Sequence, residues 1–232
     1  MRTRVAVLAS GGGSNLQALL DHGLQLGERR AFDVVAVLAN RADAGALDRA
    51  RAHGIAAHVI ADAADGPALD ARLVELGAEL VVLAGYLKLV PLEVVRRFHG
   101  RLLNVHPALL PAFGGPGMYG QRVHAAVLEH GARVSGVTVH FVDDAYDRGA
   151  IAAQWPVPVL PDDTPASLAR RVLQVEHQLY PRVVQAVAAG QLALRADGAV
   201  RCAPGTPLAP DSAFALVPAL HDAVDSLDAT FA

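Results

Sequence analysis

An asparagine and a histidine stand two residues apart in the segment Asn104-Val-His106-Pro107. In a β-strand this spacing places both side chains on one face, and Pro107 favours an extended His106 and ends the strand. A carboxamide can donate a hydrogen bond to a developing oxyanion, and an imidazole can donate or accept a proton near neutral pH. The pair therefore suits acyl transfer, and a purely structural histidine is the alternative.

The catalytic nucleophile is expected to belong to the substrate. The sequence contains no G-x-S-x-G motif, and its single cysteine, Cys202, lies in the tail of the chain. Three aspartates, Asp143, Asp144 and Asp147, follow a predicted strand, and any one of them could orient the His106 ring and raise its pKa. The residues alone do not choose among the three, and a solvated acidic turn is the alternative.

A glycine-rich turn, Ser10-Gly-Gly-Gly-Ser14-Asn15, separates a predicted strand from a predicted helix. Glycines let the backbone approach a ligand, and the helix N-terminus adds positive potential, so the turn suits a phosphate. Leu16 stands where a dinucleotide fingerprint requires its third glycine, and no G-K-[ST] follows as in a P-loop. A single phosphate monoester therefore fits better than NAD or ATP, and a tight turn without a ligand is the alternative.

Glu176 lies in a predicted long helix beside the apolar Val175 and Leu179. This position allows a partly covered carboxylate that faces a ligand, although an exposed helix face is the usual place for a glutamate. Metal binding is not expected, because the ten histidines are scattered and neither H-x-x-x-H nor H-E-x-x-H occurs.

Composition restricts the class of protein. The 232 residues are 53% hydrophobic and 19% charged with a net charge of −3, which indicates one large domain with a continuous core. There is no basic field for nucleic acid, no apolar run of membrane-spanning length and no signal-peptide pattern. We therefore expect a cytoplasmic protein, a monomer or homodimer, without nucleic-acid or membrane partners.

Apolar strands alternate with helical periods along the chain. Strands are predicted at 5–9, 33–39, 56–60, 80–84, 102–105, 133–142 and 151–159. Helices are predicted at 14–24, 68–76, 91–98, 121–130 and 165–189, with a further helix capped by Asp43 and running to Arg51. The tail from 196 is predicted to be a linker followed by a short amphipathic segment. The pattern indicates an α/β fold: an open, mostly parallel twisted sheet with helices on both faces and antiparallel strands in the C-terminal half.

Ligands of open parallel sheets bind at the carboxyl ends of the strands. Polar or glycine-containing segments follow the predicted strands at that edge: Ser10–Asn15, Asn40-Arg41, Gly85–Lys88 and Asn104–His106. The sequence therefore predicts one site that these segments form together.

Six motifs in order resemble the phosphoribosylglycinamide formyltransferase family over residues 3 to 195. They are Ser10-Gly-Gly-Gly-Ser-Asn15-Leu-Gln, Leu83-Ala-Gly-Tyr-Leu-Lys88, Asn104-Val-His106-Pro-Ala-Leu-Leu-Pro111, Thr138-Val-His140-Phe-Val, Asp147-Arg-Gly149 and Glu176-His177-Gln-Leu-Tyr-Pro181. The resemblance implies a Rossmann-like formyltransferase domain at 1–195, with a nucleotide-binding half at 1–105 and a catalytic and folate half at 106–195. Residues 196–232 form an extension of unknown role.

The resemblance also implies a reaction, in which 10-formyltetrahydrofolate as co-substrate gives its formyl group to the amine of glycinamide ribonucleotide without a metal. It assigns catalysis to Asn104, a protonated His106 and Asp147, which is thereby chosen over the other two aspartates. It assigns ribonucleotide binding to Gly13, Ser14, Asn15 and Glu176. It assigns folate binding to Leu87, Lys88, Leu89, Val90, Asn104, Asp143, Asp144, Ala145, Tyr146 and Asp147.

The chain departs from the family pattern at three places. Gly114-Gly115 replaces a common Pro-Gly, Lys88 stands where arginine is frequent, and 62–69 contains no arginine that could approach the folate tail. The alternatives are methionyl-tRNA formyltransferase, formyltetrahydrofolate hydrolase and a catalytically silent nucleotide-binding protein. The first usually carries a longer C-terminal domain and the second an N-terminal regulatory domain, so both are expected to fit less well.

Overall fold

The computed structural model describes residues 1–208. Its strands are β1 (Thr3–Ala9), β2 (Phe32–Ala39), β3 (Ala56–Val59), β4 (Leu80–Leu83), β5 (Leu102–His106), β6 (Val134–Phe141), β7 (Ile151–Pro158), β8 (Leu192–Leu194) and β9 (Val200–Cys202). Its helices are α1 (Ser14–Leu26), α2 (Gly45–Ala52), α3 (Gly66–Glu75), α4 (Leu92–Arg97), α5 (Gln121–Glu129) and α6 (Pro165–Ala188), with a 3₁₀ turn at Gly27–Arg29. Within residues 1–208, none of the helices is long and apolar enough to cross a membrane.

Seven strands form one sheet in the order β3-β2-β1-β4-β5-β6-β7. The pairs from β3 to β5 are parallel, and β6 and β7 add antiparallel strands beside β5. The predicted α/β fold is confirmed. Because the strand order reverses between β1 and β4, their carboxyl ends flank a crevice in which ligands of such sheets bind.

Helices cover both faces of the sheet because the strand residues alternate between two cores. In β1, Val5 and Val7 pack on the face with α1, α2, α5 and α6, whereas Ala6 and Leu8 pack on the face with α3 and α4. This two-sided burial explains why the strands are continuously apolar in sequence.

The buried side of α1 runs through Leu16, Leu19 and Gly23, and Leu24 is 66% exposed. One prediction about α2 is wrong. Asp43 does not cap α2, which has no side-chain cap; its carboxylate instead forms a two-point ion pair with Arg41.

The prediction that a linker begins at residue 196 is wrong. β9 pairs antiparallel with β8, so a hairpin crosses the expected boundary at residue 195, and Leu208 packs against the main core. The predicted amphipathic segment lies outside the described residues. The division of the chain into domains stays a prediction.

Candidate active site

A cavity of about 490 Å³ opens at the carboxyl ends of β4 and β5. The predicted site residues in its wall are Asn15, Leu87, Lys88, Leu89, Val90, Asn104, His106, Ala145, Tyr146, Asp147 and Glu176. The sheet edge therefore brings together most of the side chains that sequence analysis selected, from segments more than 150 residues apart.

Four predicted binding residues lie outside that wall: Gly13, Ser14, Asp143 and Asp144. The two glycine-turn residues precede Asn15, which is the part of the turn that reaches the cavity. Asp143 accepts a hydrogen bond from the Ala145 amide at 3.1 Å and thereby shapes its own loop. Asp144 lines a second open groove, which shares the wall residues Ala145, Tyr146 and Asp147 with the cavity. The predicted contact of Asp143 and Asp144 with folate stays a prediction.

His106 ends β5 and is buried at the cavity wall. Its Nε2 lies 2.8 Å from the Phe113 carbonyl oxygen, and because a carbonyl only accepts, Nε2 carries a proton. Its Nδ1 lies 3.5 Å from Asp147 Oδ2. Burial lowers the pKa of His106, and this effect exceeds the opposing influence of Asp147 and of the Phe113 hydrogen bond. The Asp147 carboxylate thus raises the pKa of His106 as predicted, but burial outweighs it in the free site. Protonation of His106 during the reaction stays a prediction.

Asp147 contacts His106, His140 and Gly115. Its own backbone is left-handed, with φ 56°. Its Oδ2 accepts a hydrogen bond of 2.8 Å from the Gly115 amide, and its Oδ1 lies 3.6 Å from His140 Nε2. Burial alone would raise the pKa of Asp147, but His140, His106 and the Gly115 amide together lower it. The side chain is therefore a carboxylate at neutral pH, poised beside the His106 ring.

Asn104 is held by His140, a residue that sequence analysis did not assign to the site. His140 Nδ1 lies 3.0 Å from the Phe141 carbonyl and so carries the proton, which leaves Nε2 as acceptor. The Asn104 Nδ2 group donates to this Nε2 at 3.0 Å. The signal that could have found His140 is the antiparallel register, in which it lies directly opposite Asn104.

Glu176 is buried on α6, although a glutamate in a helix is usually exposed. It lies one turn after Val172 and one turn before Tyr180, both of which are buried. The Tyr180 hydroxyl is 3.0 Å from the carbonyl oxygens of Leu83 and Leu103, which fixes this helix against β4 and β5. Glu176 accepts a hydrogen bond of 2.7 Å from Asn15 Nδ2, and burial raises its pKa to about 7.

Two further wall residues were missed by sequence analysis. His124, on α5, is buried, and burial, with a smaller effect of the His106 charge, lowers its pKa to about 4. Tyr86 follows β4; burial raises its pKa to about 12, and its hydroxyl has no partner among residues 1–208. Tyr86 stands in the predicted edge segment 85–88, whereas His124 gave no sequence signal beyond its place in a helix.

The sequence and the structure were compared with those of known proteins. Residues 3–184 match the formyl transferase family. The chain is 47% identical over 204 residues to the chloroplastic phosphoribosylglycinamide formyltransferase of Arabidopsis thaliana, covering 85% of this chain and 69% of that protein. It is 39% identical over 201 residues to the Escherichia coli K12 phosphoribosylglycinamide formyltransferase, covering 84% of this chain and 92% of that protein. The crystal structure of glycinamide ribonucleotide transformylase 1 from Symbiobacterium toebii superposes with a TM-score of 0.78 at 42% identity, over 87% of this chain and 94% of that one.

Proposed function

The chain belongs to the formyl transferase family, and on that premise we propose that it transfers the formyl group of 10-formyltetrahydrofolate to the amine of glycinamide ribonucleotide. The products are N-formylglycinamide ribonucleotide and tetrahydrofolate, in a step of purine synthesis. One observation carries the proposal: Asn104, His106 and Asp147 converge in a cavity wall that also contains Asn15 and Glu176. The three residues suited to acyl transfer thus lie in the same wall as the end of the glycine turn, which is suited to a phosphate.

Transfer begins when the substrate amine attacks the formyl carbon. A carbon–nitrogen bond forms, and the formyl oxygen becomes an oxyanion in a tetrahedral intermediate. Asn104 is the preorganised donor for this oxyanion, because His140 fixes the orientation of its carboxamide. The enzyme itself supplies no nucleophile in this scheme.

His106 carries the proton from one nitrogen to the other. Burial lowers the pKa of His106, which favours a neutral ring before reaction. With its single ring proton on Nδ1 beside Asp147, His106 accepts the proton of the attacking amine at Nε2 and then delivers it to the folate nitrogen as that carbon–nitrogen bond breaks. Asp147 stabilises the imidazolium formed in between. Proton acceptance at Nε2 requires displacement of the Phe113 carbonyl, which Nε2–H contacts in the free site, and a change of tautomer that places the ring proton on Nδ1.

The two substrates occupy opposite ends of the cavity in this proposal. The phosphate of the ribonucleotide binds at the turn Gly13 to Asn15, and Glu176 contacts its sugar. The folate ring lies between Leu87–Val90 and the loop Ala145–Asp147, which both border the cavity. The cytosolic location and the oligomeric state stay predictions from the sequence.

Tetrahydrofolate release tests the proposal and separates it from its competitors. Purified protein is incubated with 10-formyltetrahydrofolate, with and without glycinamide ribonucleotide. We expect release only when both are present, with the formyl group recovered on the ribonucleotide. Release without ribonucleotide would indicate a hydrolase, and ribonucleotide binding without any release would indicate a silent nucleotide-binding protein.

A further inference from the structure

Arg49, on α2, presents its guanidinium to the glycine turn. Its Nε–H donates to the Gly12 carbonyl at 2.8 Å, and its Nη1–H donates to Gln17 Oε1 at 3.1 Å. Within residues 1–208, none of the ion pairs includes Arg49. Asp21, the carboxylate of this network, accepts instead from the Gln17 amide at 2.9 Å. Neutral acceptors hold this cation, so its charge is not cancelled by a direct carboxylate contact.

Three consecutive carbonyl groups in the glycine turn each accept a hydrogen bond, and the contact between Arg49 and Gly12 is one of the three. The Gly11 carbonyl accepts from the Ala46 amide at 3.1 Å, and the Gly13 carbonyl accepts from the Gln17 amide at 2.9 Å. Arg49 binds the carbonyl between them. The amides from Gly11 to Asn15 have no acceptor in the described part of the chain. A turn with its carbonyls held and its amides free is suited to an anion.

The charge of Arg49 also acts toward α6, on the other side of the turn. Burial and, next, the Arg49 charge lower the pKa of His177, which follows Glu176 in the sequence, and the Asp21 charge opposes them with a smaller effect. The buried His177 Nε2 has no hydrogen-bond partner among residues 1–208. The positive charge therefore acts on the region between the glycine turn and α6, where the ribonucleotide is proposed to bind.

We propose that Arg49 is a positioning residue for the phosphate monoester of the ribonucleotide. It holds the Gly12 carbonyl away from the phosphate and adds a positive charge behind the free amides. It therefore determines affinity for the phosphate end of the substrate without contacting the reacting atoms. The identity of the substrate rests on the proposed function, whereas recognition of a phosphate by this turn does not.

The test compares Arg49→Met with Arg51→Met, a control on the same helix whose exposed guanidinium pairs with Asp48. Loss of a charge-assisted contact should raise the ribonucleotide KM by at least about tenfold in Arg49→Met. Because the reacting atoms are untouched, kcat at saturation should stay within about twofold and the folate KM should not change. Calorimetric titration with ribose 5-phosphate should show the same loss of affinity, and Arg51→Met should match the wild type in each measurement.

A second variant, Arg49→Lys, covers the case in which Arg49→Met does not fold. One ammonium keeps the charge but cannot reproduce both guanidinium contacts, so ribose 5-phosphate should bind more weakly than to the wild type. Wild-type affinity in Arg49→Lys, or equal changes in kcat and both KM values in Arg49→Met, would overturn the inference. A wild-type protein that transfers no formyl group but binds ribose 5-phosphate in an Arg49-dependent way would refute the proposed function alone.

Discussion

The carboxamide of Asn15 donates a hydrogen bond of 2.7 Å to the carboxylate of Glu176, 161 residues further along the chain. This bond joins the glycine turn to α6 across the mouth of the sheet. One helical turn later, the Tyr180 hydroxyl joins the same helix to the carbonyl groups of Leu83, at the end of β4, and of Leu103, within β5. Helix α6 thus holds the two ends of the cavity in fixed positions relative to each other, as transfer between two bound substrates requires.

Replacement of His106 by alanine should remove proton transfer while leaving the ribonucleotide site intact. We expect turnover to fall by about 10²–10⁴-fold, the range typical of a general acid–base group. Steady-state kinetics measures the fall, and calorimetry should give an unchanged ribonucleotide affinity. Turnover equal to that of the wild type would remove His106 from the mechanism.

Replacement of His140 by phenylalanine tests whether Asn104 must be held to act. The ring size is retained, but the acceptor at 3.0 Å from Asn104 Nδ2 is lost. A lost hydrogen bond of about 1–1.5 kcal/mol should lower kcat by about tenfold, with both KM values unchanged. His99→Phe, at an exposed position outside the cavity wall, is the control. If the two variants have the same kcat, His140 does not position Asn104.

The sequence was sufficient for the pair Asn104 and His106, because a spacing of two on a strand fixes the face they share. It was not sufficient for His140, because its contact with Asn104 depends on the register of β5 against β6. The burial of Glu176 depends in the same way on how α6 lies over the sheet. Local patterns predict elements and faces, whereas register and helix placement depend on the packing of the whole fold.

A side chain at Gly13 should displace the glycine turn. Its φ is 74°, and a Cβ there would lie 2.7 Å from the Ala46 Cα, a backbone atom that cannot yield cheaply. Gly13→Val should therefore abolish measurable ribonucleotide binding and leave folate binding detectable. Gly54→Val is the control, because Gly54 also has a positive φ, 68°, but open space around its Cβ. Wild-type ribonucleotide affinity in Gly13→Val would refute the phosphate assignment. An equal loss of affinity in Gly54→Val would show that backbone strain at a positive φ, and not the position in the glycine turn, explains the loss.

Thr138 holds the segment that follows His106. Its buried Oγ1 donates to the Ala108 carbonyl at 2.7 Å and accepts from the Leu110 amide at 3.0 Å and from Gln154 Nε2 at 3.0 Å. Thr138→Val keeps the shape but leaves buried polar groups unpaired, and we expect a loss of about 2–4 kcal/mol in the free energy of unfolding. Urea denaturation measures this loss. Thr206→Val, which removes one hydrogen bond to the Ala203 carbonyl, should cost clearly less, and equal losses would contradict the assignment.

The raised pKa of Glu176 makes the free energy of unfolding depend on pH. Burial, partly offset by the Asn15 hydrogen bond, raises this pKa from 4.5 to about 7 in the folded protein. Between these values the folded state binds more protons at this site than the unfolded state. The stability that this group contributes is therefore fully present below pH 4.5 and is lost as the pH rises through about 7.

Replacement of Glu176 by glutamine should remove this pH dependence, because the amide stays neutral throughout. At about 1.4 kcal/mol for each pH unit, the wild type should lose up to about 3 kcal/mol from this group between pH 4.5 and 8. Glu176→Gln lacks that loss. Its free energy of unfolding should therefore increase relative to that of the wild type as the pH rises over this range. Urea denaturation at pH 5, 6, 7 and 8 measures the difference, in which the other titrating groups cancel. A difference that is constant with pH would mean that Glu176 is already ionised at pH 5, and that Asn15 stabilises a buried carboxylate more strongly than burial opposes it.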